Sequence, residues 1–153
     1  MMDRAHVLSI TAGLKELQSV RRFVEEHARA LGVEADSVYD VLLAVDEMAT
    51  NVVVHGYGGG PGPIEVELRP AGDSLEVFLR DSAPPFDPAQ VPPPDITLPL
   101  ELRPPGGMGI HLARHFMDSM VYHTRPGGGN ELVMVKKGVM GSRPKEEARA
   151  PDR

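Results

Sequence analysis

Three short stretches carry residues that could do chemistry. In DEMATNVVVHGY (46–57), Glu47, Asn51 and His55 are four residues apart, so on a helix they would fall on one face as a single polar line. Glu47 and Asn51 both offer oxygen donors. An amide oxygen suits a hard cation such as Mg²⁺, and a neighbouring carboxylate can accept a proton. In LRDSAPPFDP (79–88), Asp81 ends an alternating segment. A carboxylate held at a strand end can accept a hydrogen bond from an exocyclic amine such as that of adenine, or simply start a turn. In GGMGIHLARHFMD (106–118), glycines precede a helical pattern. Backbone N–H groups at such a helix start can approach a phosphate, although glycines also close loops for steric reasons. His111 and His115 share a helix face but have no HExxH motif and no third ligand, so they read as surface histidines.

The elements that position these residues follow from periodicity. AHVLSIT (5–11) alternates and predicts an edge strand. From Leu14, apolar residues recur at three- and four-residue steps to Leu31, and Gly32 is a stop. A second helix opens at Asp36-Ser37, where Ser37 and Asp40 resemble a capping box, and runs to about His55. Val38, Leu42, Val45, Ala49 and Val52 form its core stripe, with Val41, Ala44 and Met48 beside it. A helix this apolar is expected to be largely buried, which makes idle polar groups costly. The helix alone is equally readable as amphipathic, with Glu47 and Asn51 in solvent.

Residues 64–69 and 74–80 read as a hairpin, and 120–124 with 131–137 as another around RPGGGN. Between Pro84 and Pro105 lie nine of the fifteen prolines, so this stretch is expected to be a long loop of the kind that forms lids. The order predicts one α/β two-layer sandwich, a mixed, largely antiparallel sheet with helices on one face, over residues 1–138. Residues 139–153 are polar and charged and are expected to form a disordered tail.

Composition excludes several functions. The 153 residues suit one domain, and without cysteine there are no disulfides or thiolate metal sites. A formal net charge of −6 and the absence of tryptophan argue against nucleic acid and anionic membranes as partners. No run is long and apolar enough to span a bilayer, and the first residues lead into no signal-peptide core, so a cytoplasmic location is expected. There is no GxxxxGK[ST] and no GxGxxG after a strand.

Taken in order, DEMATNVVVHGY, LRDSAPPFDP, GGMGIHLARHFMD and VYHTRPGGGNELVMVKK resemble the GHKL ATPases, the superfamily of histidine-kinase-like ATPases with the Bergerat-type fold. They are most similar to its anti-sigma-factor serine/threonine kinases, over roughly residues 5–137. The stretches look like the N box, the G1 box (with the Phe86-Asp87-Pro88 ending of that branch) and the G2 box. The resemblance implies that Asn51 ligates Mg²⁺ on ATP, that Glu47 is the general base, and that Asp81 binds the adenine amine. It also implies that residues 89–105 form the ATP lid. Arg103 would lie near the γ-phosphate, and Gly106, Gly107, Met108 and Gly109 would wrap the phosphates. His55, Gly56 and Tyr57 fit the N-box ending.

Ala83 stands where the G1 box usually has its first glycine, beside the base, and Pro85 where many members have a second. The implied partners are an antagonist protein phosphorylated on serine or threonine and a sigma factor, with pairing as a homodimer. The departure at Ala83 leaves a second reading, a partner-switching module that transfers no phosphate.

Overall fold

The computed structural model describes residues 5–92, 95, 97–102 and 108–140. Strand β1 (His6–Thr11) leads through a 3-10 turn (Leu14–Glu16) into α1 (Leu17–Ala30) and α2 (Ala35–Asn51). The chain continues as a π-helical turn (Val52–Gly56), then β2 (Pro63–Ala71) and β3 (Ser74–Asp81). After the proline-rich stretch come α3 (Met108–Phe116), β4 (Ser119–Thr124) and β5 (Asn130–Lys136).

The five strands form one sheet in the order β1-β2-β3-β5-β4. All four pairings are antiparallel, so the sheet is not mixed. The α3 crossover does make β4 run parallel to β3, but β5 lies between them. The edge position expected for the first strand is the observed one.

Period-two burial divides the sheet faces. Ile64, Val66 and Leu68 on β2, Leu75, Val77 and Leu79 on β3, and Leu132 and Met134 on β5 are buried beneath the helices. α2 packs between α1 and α3 and presents Val38, Val41, Val45 and Ala49 to this core. Its start differs from the capping-box reading. The helix begins at Ala35 with Glu34 at the N-cap and no side-chain cap, and Asp40 instead pairs with Lys136 of β5 at 3.3 Å. Val139, placed by sequence at the head of a polar tail, is buried, donating its N–H to Asp73 O and accepting from Glu34 N–H. Residues 141–153 lie outside the described residues.

The other sheet face is ionic. Arg80 reaches Glu65 at 3.2 Å, Glu67 at 2.9 Å and Glu131 at 2.7 Å, so one guanidinium bridges β2, β3 and β5. Arg69 adds a second contact to Glu67 at 2.7 Å, and both arginines flank the Phe78 ring. Burial pushes the Glu67 carboxyl up, but hydrogen bonds and charge from Arg69 and Arg80 outweigh it and hold the group below the ordinary glutamate range. Arg80 is likewise held above its ordinary value: burial lowers it, and the three carboxylates more than offset that. No helix among the described residues is long and apolar enough to cross a membrane.

Candidate nucleotide site

Glu47 and Asn51 lie one turn apart on α2 and both are half-buried. Among the described residues, no side-chain hydrogen bond or ion pair engages either of them. Their neighbour Asp46, by contrast, is neutralised by Arg21 of α1 at 2.8 Å. The polar line does not extend to His55. Regular α-helix ends at Asn51, and His55 falls in the wider turn Val52–Gly56, where it is exposed. Such i→i+5 turns recur at functional sites. Here the turn is closed by the Tyr57 N–H donating to Val52 O at 2.8 Å.

Gly109, in the first turn of α3, faces Glu47. A Cβ on Gly109 would lie 2.5 Å from Glu47 Oε1, so only glycine leaves the carboxylate where it is. His111 and His115 are exposed on the same helix. Met108 begins α3, whereas Arg103, Gly106 and Gly107 lie outside the described residues, as do positions 93, 94, 96, 104 and 105 of the expected lid.

Asp81 is the last residue of β3 and continues its inward row after Leu75, Val77 and Leu79. It is buried, and its Oδ1 accepts from Ala83 N–H and from Asn130 Nδ2, each at 2.8 Å. The loop that follows is held from two sides. The Tyr57 hydroxyl accepts from Ser82 N–H and donates to Pro63 O, both at 2.7 Å, tying the end of the π turn to the loop. Farther along, the Asp87 carboxylate caps the turn Pro88–Gln90 by accepting from Ala89 N–H at 2.9 Å, and Arg114 of α3 donates to Pro88 O. The Ala83 methyl is buried against the N-box ending: a Cβ on Gly56 would lie 3.1 Å from it.

Sequence reasoning named Tyr57 without a role and missed Asn130 altogether. The signal for Asn130 was its register. It shares the inward face of β5 with Leu132 and Met134, and an amide on a buried row needs partners.

The histidine kinase-like ATPase domain profile matches residues 10–136. The chain belongs to that family. Curated members similar to it include the serine/threonine-protein kinase BtrW of Bordetella bronchiseptica, 32% identical over 98 residues, covering 63% of this chain and 68% of that protein. The serine-protein kinase RsbW of Bacillus cereus is 29% identical over 143 residues, 89% of this chain and 88% of that one. Among solved structures, the RsbU and RsbW domains of a Mycobacterium tuberculosis protein match with a TM-score of 0.57 at 19% identity, covering 86% of this chain and 32% of that one. That likeness supports the fold: an open antiparallel sheet with helices on one face.

The residues of this family member fit a nucleotide with its metal. A half-buried carboxylate and amide project from α2, a glycine opens the start of α3 beside them, and a buried carboxylate closes β3. Among the described residues no three His, Cys, Asp or Glu side chains cluster as a metal site. The Asn51 amide oxygen is a donor of the kind that hard divalent cations accept alongside phosphate oxygens.

Proposed function

We propose that this chain is an ATP-dependent serine/threonine protein kinase of the anti-sigma-factor type. It transfers the γ-phosphoryl group to a hydroxyl on a small antagonist protein that competes with a sigma factor for binding. The observation that carries the reading is the meeting of Glu47 and Gly109. A carboxylate with no hydrogen-bond or ion-pair partner among the described residues stands against Gly109, in the first turn of α3, one turn from an amide on its own helix. Membership of the family and the kinase names of its relatives support it.

Each residue has a defined task. Asp81 accepts the exocyclic amine of the base. The first turn of α3 offers backbone N–H groups to phosphate, and Gly109 keeps that approach open. Asn51 would hold Mg²⁺ through its amide oxygen, and that ion supplies charge neutralisation on the phosphates. Glu47 accepts the proton of the attacking hydroxyl, so the chain contributes positioning and proton removal. Action in the cytoplasm and pairing as a homodimer belong to the same reading.

The test is transfer from labelled ATP with Mg²⁺ to candidate antagonist proteins. Glu47→Ala should keep ATP binding and lose transfer by about 10²-fold or more. Asn51→Ala should lose Mg²⁺-dependent ATP affinity itself. Wild-type protein that binds ATP but phosphorylates no antagonist would leave a partner-switching module without kinase activity.

A further inference from the structure

The base-binding carboxylate is held by a side chain from the far end of the sequence. Asn130 is 7% exposed and its amide meets five protein hydrogen-bonding groups. The two hydrogens on its Nδ2 serve three acceptors, Asp81 Oδ1 at 2.8 Å and the carbonyls of Pro84 at 3.1 Å and Ala83 at 3.3 Å, so one of them is shared. Its Oδ1 accepts from Phe86 N–H at 2.9 Å and from the Tyr122 hydroxyl at 2.7 Å. The amide can sit only one way round, because Asp81 Oδ1 and the two carbonyls at one end can only accept and the Phe86 N–H at the other can only donate. The turn before it reinforces the grip. Arg125 donates to Asp81 O at 3.1 Å, and Gly129, at φ 108°, leaves no room for a Cβ against that same carbonyl.

The consequence lies in which oxygen of Asp81 remains. Among the described residues, both hydrogen bonds given to the carboxylate fall on Oδ1. Oδ2 is therefore the acceptor that can meet a ligand, and its direction is fixed because Oδ1 is pinned. We infer that Asn130 is the positioning residue that turns Asp81 into a selector for a 6-amino over a 6-oxo purine. A 6-oxo group would set two acceptors against each other, and a carboxylate that cannot rotate away cannot relieve that conflict. Ala83 and Pro84 are part of the same device. Asn130 fastens their carbonyls directly, so a loop that lacks the usual glycine still has a single path.

This inference rests on the nucleotide reading above. Its test compares the affinities of the full chain for ATP and for ITP, which differ at the 6-position, with thermal unfolding recorded alongside. Wild type should prefer ATP by about tenfold or more, and Asn130→Ala should bring the ratio down by about fivefold, the worth of one well-placed hydrogen bond. Tyr122→Phe removes only the hydroxyl that orients the amide and should lower the ratio by about two- to threefold with little change in Tm. A purely structural role would lower Tm and leave the ratio intact. An unchanged ratio in a folded Asn130→Ala overturns the inference while the nucleotide reading stands. If Asn130→Ala does not fold, an unchanged ratio in Tyr122→Phe overturns it. A wild type that binds neither nucleotide overturns both readings.

Discussion

Gly109 of α3 stands against the carboxylate of Glu47 on α2, with room for a hydrogen atom and no more. The atom that a Cβ would strike, Oε1, is the far end of a flexible side chain, so the clash is cheap to relieve by moving the carboxylate. Gly109→Ala should therefore leave stability unchanged or raise it by up to about 1 kcal/mol, since alanine is the better helix residue. If Glu47 is the base, as proposed, phosphoryl transfer should nevertheless fall by about tenfold or more, because its carboxylate has been displaced. Urea unfolding and transfer assays on the same preparation check the two halves. A loss of stability with full activity would separate Gly109 from the Glu47 chemistry.

The Ala83 methyl bears on whether the altered glycine box blocks nucleotide. It packs toward Gly56, and the two positions share the space of roughly one methyl group. Ala83→Gly should therefore not raise ATP affinity. It should cost about 1 kcal/mol through a small void and a looser loop. Gly56→Ala brings two methyls to 3.1 Å and should also destabilise. The double change Gly56→Ala with Ala83→Gly should recover part of both losses, as contacting residues do in a mutant cycle. Additive losses, measured by thermal unfolding, would show that the two sites do not share that space.

The ionic face of the sheet predicts an acid limb. The pKa of Glu67 is depressed in the folded chain, so its pairing contributes fully above the unfolded glutamate value of about 4.3. That contribution is lost as pH falls through the lower folded value. Stability from urea titrations should thus decline as pH drops below about 4.5, and the decline should be shallower in Glu67→Gln. Arg80 titrates far above this window and stays charged throughout it. A slope that is the same in both proteins would place the acid sensitivity elsewhere.

Much of this architecture was written in local pattern. Alternation in IEVELR and SLEVFLR gave the β2–β3 hairpin, and the apolar stripe of α2 placed Glu47 and Asn51 on a packed helix. What periodicity could not give was decided by contacts distant in sequence. The helix α2 begins before Ser37, which puts Ser37 and Asp40 inside it, and Asp40 pairs with Lys136 of β5. Burial of Val139 depends on hydrogen bonds to Glu34 and Asp73. The break in the polar line at His55 follows from a change of helix type just after Asn51. That the Ala83 methyl packs toward Gly56 was likewise not written in the local pattern.

The pairing of Asp81 with Asn130 across β3 and β5 sets a timetable for the chain as it is made. Glu47, Asn51 and Asp81 emerge from the ribosome well before the β4–β5 hairpin that pins Asp81. A nascent chain that ends before Asn130 has both helices of the N-terminal half but no orienting amide for the base. On the nucleotide reading proposed above, capture of ATP would then depend on a finished sheet. ATP would stabilise only chains that have added their last strand, with a gain that grows with the logarithm of its concentration above Kd. On that reading, ligand stabilisation would separate chains that carry β5 from those that stop short of it.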